Sequence, residues 1–170
     1  MSLESNDCRL KREYTVKDRL YWNLMLALPL VTAMIGIGQQ STGGLILYLM
    51  LVVIGVGLIL RFFCTHCPHY IREQSAFSCL FFWKTPKLFP DREGPLGTRE
   101  KILVGLAAFL ILGLPIFWLL GIPSLLLIYI LSVAVFVSTH LRTECSRCLF
   151  VDCPMNKVPV ELHEEARNVE

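Results

Sequence analysis

Between residues 102 and 140 the chain carries no Asp, Glu, Lys or Arg. A helix needs about 20 apolar residues to cross hydrocarbon, so this run holds two spans, and Gly121-Ile122-Pro123 marks the break between them. Two similar runs lie upstream, residues 20–38 and residues 45–63, the second uncharged until Arg61. Backbone amides in hydrocarbon must find their partners inside the segment, which restricts long apolar runs of this kind to helices. The expected fold is all-α: an integral membrane four-helix bundle with cysteine-rich juxtamembrane segments. The composition agrees, since only 18% of residues are charged where a soluble domain carries roughly a quarter.

The runs divide the chain into a polar N-terminal segment (residues 1–18), a first helix pair (19–63), a connecting segment (64–101), a second pair (102–141) and a cysteine-bearing tail (142–170). Thr15-Val-Lys-Asp18 reads as a capping box opening the first helix, which Pro29 interrupts. Residues 1–18 lack an apolar core behind a short basic start, so the first run reads as a retained helix and not a cleaved signal. Residues 39–44 read as a polar turn. In the connecting segment the pattern predicts a short helix around residues 71–82. Phe81-Phe82-Trp83 there is an interfacial anchor and Asp91-Arg-Glu-Gly-Pro95 a turn. The tail reads as solvated, with a short amphipathic patch over residues 160–166.

Four spans place the turns 39–44 and 121–123 on one side and everything else polar on the other. Those two turns contain no Lys or Arg, and all 16 basic residues fall on the opposite side. The positive-inside rule then predicts a multi-pass cell-membrane protein with both termini and the connecting segment in the cytoplasm. Thiols in that compartment stay reduced, and paired C-x2-C arrays there are more often metal sites than disulfide frameworks.

Two such arrays follow apolar runs: Cys64-Thr-His-Cys-Pro-His69, and Cys145-Ser-Arg-Cys-Leu-Phe-Val-Asp-Cys-Pro-Met-Asn156. Two intervening residues let one turn present both sulfurs to one ion, and two C-x2-C pairs supply the four thiolates of a tetrahedral zinc site. Thiolates also suit an iron–sulfur cluster, and the Cys-Pro pairs at Cys67-Pro68 and Cys153-Pro154 fit that reading. The expected metal ligands are Cys64, Cys67, Cys145, Cys148 and Cys153, with Cys79, His66 and His69 as further candidates. The cofactor, zinc or an iron–sulfur cluster, stays open at this point. The plain alternatives are histidines that sit among lipid headgroups and thiols that bind nothing. Cys8, on the N-terminal segment, reads as a bystander, Cys79 equally as a small buried apolar residue, and His140 as a ligand or proton relay.

At Cys64-x-x-Cys-Pro, Lys87-Leu-Phe, Gly94-Pro95 and Cys145-x-x-Cys-x4-Cys-Pro-x-Asn156 the chain resembles small four-span, cysteine-rich prokaryotic membrane proteins without an assigned activity. The likeness covers the spans and both arrays, and it implies no mechanism.

Function classes narrow accordingly. No span carries an ionisable Asp, Glu, Lys or Arg at its centre, which disfavours carriers and proton pumps. A net charge of +2 gives no reason to expect nucleic acid. The leading expectation is a metal-binding membrane protein with a structural or electron-transfer role. Its partners would be the lipid bilayer, a cytosolic redox or docking protein and a membrane quinone. A thiol–disulfide oxidoreductase linked to quinone is the first alternative; it resembles in outline the four-helix disulfide-generating enzymes of the bacterial envelope, whose cysteines face the oxidising side. Handling of a soft ion such as Cu(I) is the second.

Overall fold

The computed structural model describes residues 11, 13–71, 75–92, 94–150, 153 and 155–159. Four long helices dominate: α1 (Val16–Gln40), α2 (Thr42–Phe62), α4 (Thr98–Leu119) and α5 (Pro123–Thr143). Between α2 and α4 lie a 3-10 turn (Cys64–His66), the short α3 (Pro68–Ile71) and a two-stranded antiparallel hairpin of β1 (Ala76–Phe77) and β2 (Thr85–Pro86). The chain is all-α in class, and all four long helices are long and apolar enough to cross a membrane. The predicted patch at residues 160–166 and Cys8 lie outside the described residues.

The helix starts follow the local chemistry. At α1 the Thr15 hydroxyl accepts from the Asp18 N–H (3.3 Å) while the Asp18 carboxylate accepts from the Thr15 N–H (3.0 Å), the reciprocal pair anticipated from the sequence. Between α1 and α2 the expected six-residue turn shrinks to Ser41 alone. Its N–H closes α1 onto the Ile37 carbonyl, and its hydroxyl accepts from the Gly44 N–H at 3.0 Å to open α2. Gly43 and Gly44 therefore belong to the helix. Gly44 faces the indole of Trp118, where a Cβ would crowd Nε1 at 3.1 Å, so it serves close packing and not chain reversal.

The four helices pack together, with α2 against α4 and α1 against α5. Glycines set the closest approaches: Gly36 lies against Leu119, and Gly55 lies under Ile111 with room for no side chain. The core between them is Ala33, Ile37, Tyr48, Leu119 and Tyr129. Two of its members are tyrosines 1% exposed, and both hydroxyls donate to α4: Tyr48 to the Ile111 carbonyl (3.1 Å) and Tyr129 to the Leu112 carbonyl (2.6 Å). Pro115 explains the first bond. Proline has no N–H, so the carbonyl four residues before it loses its helical donor, and Tyr48 replaces that donor.

The helix expected around residues 71–82 is not present over residues 75–82. Helix α3 ends at Ile71, and the chain turns into the hairpin instead. The Cys79 N–H donates to the Phe82 carbonyl (2.9 Å), and Ser78 Oγ accepts from the N–H of Lys84, whose φ of 47° lies in the left-handed region. The segment forms a second core of Leu60, Tyr70 and Phe77, with Phe82 and Phe89 against it. Tyr70 Oη donates to the Phe89 carbonyl at 2.7 Å, and Arg92 pairs with Glu100 at 2.7 Å, so both ends of the segment are fixed to helices.

Removing the Tyr48 hydroxyl should leave the Ile111 carbonyl unpaired, and removing the Tyr129 hydroxyl should take from the Leu112 carbonyl its bond to α5. Tyr48→Phe and Tyr129→Phe are each expected to destabilise the fold by about 1 kcal/mol, typical of interhelical bonds in membrane proteins. Pro115→Ala restores a donor for the Ile111 carbonyl, so the Tyr48→Phe penalty should shrink in that background while the Tyr129→Phe penalty persists. A double-mutant cycle in detergent unfolding measures this; equal penalties in both backgrounds would refute the pairing with Pro115.

A thiol-rich candidate site at the helix ends

The first array begins where α2 ends. The Cys67 N–H donates to the Cys64 carbonyl (2.9 Å), and the Cys67 carbonyl accepts from Tyr70 (2.8 Å) and Ile71 (3.1 Å), so Cys67 opens α3. Cys64, Cys67 and Cys79 all pack against the second core, which gathers them although Cys79 comes from the far side of α3. The N–H groups of His69 and Tyr70 lie close enough to the Cys67 sulfur to favour its thiolate, and those of Phe81 and Phe82 do the same for Cys79.

The second array follows α5 and is folded by backbone bonds and one side chain. The Cys153 N–H donates to the Phe150 carbonyl (3.3 Å), the Asn156 N–H to the Cys153 carbonyl (3.0 Å) and the Lys157 N–H to the Cys145 carbonyl (3.0 Å). Asn156 Nδ2 donates to the carbonyls of Phe150 (2.8 Å) and Cys148 (3.3 Å), closing the loop around the array. Here too a backbone donor meets sulfur, with the Phe150 N–H 3.5 Å from Cys148 Sγ.

Three contacts bring the arrays together. The rings of Phe63 and Phe150 meet edge to face with centroids 5.2 Å apart, joining the residue before Cys64 to the residue two after Cys148. The Lys11 N–H donates to the Arg147 carbonyl (3.0 Å), drawing the N-terminal segment over the second array. Tyr14 then lies half-buried between the arrays, its hydroxyl within electrostatic reach of Cys148, Cys67 and Cys79. Cys67 feels both Cys148 and Cys79, Cys64 feels Cys79 and Cys67, and Cys145 feels Cys153 and Cys148. The thiols thus form a chain of neighbours whose link across the two arrays is Cys67 to Cys148.

All six described cysteines are free thiols. Among the described residues no three His, Cys, Asp or Glu side chains converge on a point that holds a metal ion. The histidines have partners of their own. His66 is buried with Nε2 3.8 Å from Glu100 Oε2 and Nδ1 3.5 Å from Thr65 Oγ1, inside the network that fastens Arg92 and α4. The His69 ring lies 5.3 Å from that of Tyr14, and His140 packs among Trp22, Phe136 and Phe81.

Burial decides the protonation of the thiols. It pushes Cys67 up to about 12, a rise that Cys148 and Cys79 reinforce and the two N–H groups partly offset. Cys145 rises to about 11 through burial and the charges of Cys153 and Cys148, with the Lys157 ammonium pulling the other way. Burial raises Cys79 and Cys148 as well, and raises Tyr14 with help from Glu144. Buried thiols held neutral in this way are poor nucleophiles, since the thiolate is the attacking form.

Comparison with protein-family models, with curated proteins and with solved structures finds no match for this chain.

Glu144 and Tyr14 are the site neighbours that sequence reasoning missed. Glu144 is 8% exposed; its Oε1 accepts from Trp22 Nε1 at 3.0 Å and lies 3.6 Å from Lys11 Nζ. Its place immediately before Cys145 was the available signal. Tyr14 carried none, because only the bond between Lys11 and Arg147 brings it over the arrays.

The raised thiols give a pH signature in metal-free protein. Alkylation of Cys67 and Cys145 should be slow at neutral pH and climb about tenfold per pH unit toward 11–12. Because the fold favours the neutral thiols, their stabilising effect is complete below the ordinary thiol value of about 8.5 and is lost as pH rises toward 11–12. Mass spectrometry of pH-jump labelling reads the rates; a plateau already reached by pH 9 would contradict the burial.

Proposed function

We propose that this chain is a multi-pass cell-membrane protein, with both termini and the connecting segment in the cytoplasm, that binds a metal between its two cysteine arrays. The metal is zinc or an iron–sulfur cluster, and its role is structural or electron-transferring. The observation that carries this reading is that the two arrays are joined by the Phe63–Phe150 contact (5.2 Å), with backbone N–H groups close to the sulfurs of Cys67, Cys79 and Cys148. Such donors stabilise thiolate, and hydrogen bonds to sulfur are among the features that tune metal–thiolate centres.

Binding requires side-chain rotations that draw four sulfurs to the roughly 2.3 Å of a zinc–thiolate bond, or to the corners of a cluster. It also releases the protons that burial keeps on the thiols, so affinity should rise with pH. Cys67 and Cys148 are the ligands this reading needs from each array, with Cys64, Cys79, Cys145 and Cys153 supplying the rest. The thiol–disulfide alternative is less well supported, because an exchanging thiol must reach its thiolate form and an incoming disulfide, and these thiols are buried and neutral.

Protein purified without oxygen and analysed for metals and visible absorption tests the reading. Stoichiometric zinc in a colourless sample identifies a zinc site, and iron with sulfide in a brown sample identifies a cluster. Cys67→Ser and Cys148→Ser should each release most of the metal. A fully folded wild-type chain that retains no metal would reject the proposal, and full retention in both variants would reject those ligands.

A further inference from the structure

Along the outer face of the bundle, α2 and α4 leave an apolar groove of about 210 Å³. Leu47, Ile54 and Leu58 of α2 and Ala107 and Leu110 of α4 line it, and Gly55 lies in its floor where Ile111 closes onto α2. Ile54 is 58% exposed, so the groove opens outward, to hydrocarbon when the helices cross a membrane. From Leu47 to Leu58 it follows about 16 Å of helix. A slot of that length and volume takes a single hydrocarbon chain and is too narrow to seat a helix about 10–12 Å across.

The groove has a polar end. Arg61 comes three residues after Leu58 and seven after Ile54, so it stands on the same face of α2, in its last turn. Its guanidinium lies over the Phe89 ring, 5.3 Å from the centroid. On either side of Phe89 the cations are paired, Lys87 with Asp91 at 2.8 Å and Arg92 with Glu100 at 2.7 Å. Glu100 stands on the groove face of α4, and both its oxygens are engaged: Oε1 by Arg92, Oε2 by the Gly97 N–H, with His66 at 3.8 Å. Arg61 differs. No carboxylate among the described residues pairs with it, and its Nη1 is buried without a hydrogen-bond partner. A guanidinium held in a poorly solvated place without an anion is costly, and one anion meets the need. Arg19 Nε is also buried and unpaired, but Arg19 belongs to α1, which does not line the groove.

We propose that the groove and Arg61 form a site for one anionic phospholipid, its phosphate on the guanidinium and one acyl chain lying between α2 and α4. The two parts of the site select the two parts of the ligand. The planar guanidinium fork matches phosphate oxygens. A head of net negative charge supplies the counter-ion that Arg61 lacks, whereas a zwitterionic head brings a cation of its own. The depth fits as well. A tail fills about half of the ~30 Å hydrocarbon core, or about ten residues of α2, and so reaches from Arg61 past Leu58 and Ile54. The inference rests on the membrane-spanning reading and not on metal binding.

The test places the full chain in nanodiscs of equal parts phosphatidylglycerol and phosphatidylcholine with matched tails, then releases it into mild detergent for native mass spectrometry. One phosphatidylglycerol per chain should be retained about tenfold in preference to phosphatidylcholine, the worth of one hydrogen bond to a charged group. Arg61→Gln should abolish the preference, and Arg61→Lys should keep about threefold, since lysine holds the charge without the fork. Ile54→Trp, at an exposed position where bulk does not disturb the core, should fill the groove and lower retention of both lipids. Inorganic phosphate or oleate in excess should leave the bound lipid in place. Equal retention of the two lipids, an unchanged preference in Arg61→Gln, full retention in Ile54→Trp, displacement by phosphate or oleate, or a second copy of the chain in place of lipid would each overturn the site alone. A chain that does not enter the discs would overturn the membrane reading and this proposal with it.

Discussion

A helix surrounded by hydrocarbon has no water to complete its backbone bonds, and every break in the ladder must be repaired from a neighbour. Pro115 makes such a break near the C-terminal end of α4, and the repair fixes the packing of the bundle. Tyr48 reaches from α2 to the Ile111 carbonyl and Tyr129 from α5 to the Leu112 carbonyl, so three helices are held at one level by two hydroxyls. Glycine at Gly55 lets α2 approach Ile111 closely enough for the first bond to form. At the far end of the bundle, Gln40 on α1 donates to the Trp118 carbonyl where α4 is about to end, closing the remaining pair. The apolar faces supply no comparable directional information, because lipid tails satisfy them equally well from any side.

Once that level is set, the ends of α2 and α5 come out side by side, and the cysteine arrays meet without needing a domain of their own. The polar fastenings cluster at this end. Arg92 joins the Thr65 carbonyl to Glu100, and Glu100 also accepts from the Gly97 N–H at the start of α4. The connecting segment is therefore bound to both the helix it leaves and the helix it enters. Cations over aromatic rings reinforce the same end, with Arg61 over Phe89, Lys87 over Tyr70 and Arg92 over Phe62. Cys64, Cys67 and Cys79 are partly buried because they pack against this small aromatic core.

How much of this the sequence disclosed depended on whether the signal was local. The four long apolar helices, the Thr15–Asp18 box and the break at Gly121 to Pro123 are properties of contiguous residues and were legible. Gly43-Gly44 misled, because a pair of glycines reads as a turn while its use here is to admit the Trp118 indole. Residues 71–82 misled for a related reason: Phe77, Leu80 and Phe81 fit helical spacing, but the turn bonds at Cys79 and Ser78 favour a hairpin. The proximity of the arrays followed from topology alone. The inclusion of Cys79 did not, since it depends on how the hairpin folds back onto Tyr70, with ring centroids of Tyr70 and Phe77 4.6 Å apart.

Glu144 links the two chemical features of this end. One oxygen is tied to Trp22 of α1 and lies 3.6 Å from Lys11 Nζ, the other is buried without a hydrogen-bond partner, and the charge is felt by Tyr14, Cys145 and Cys148. A negative carboxylate at this point opposes negative charge on the sulfurs and helps keep the thiols neutral. A cation among the sulfurs would reverse the balance, drawing the thiolates and the carboxylate toward the same positive centre. The tie between α1 and α5 and the thiols therefore share one electrostatic element. Any change of charge at the sulfurs must alter how strongly Glu144 accepts the hydrogen bond from Trp22, because the carboxylate belongs to the residue immediately before Cys145.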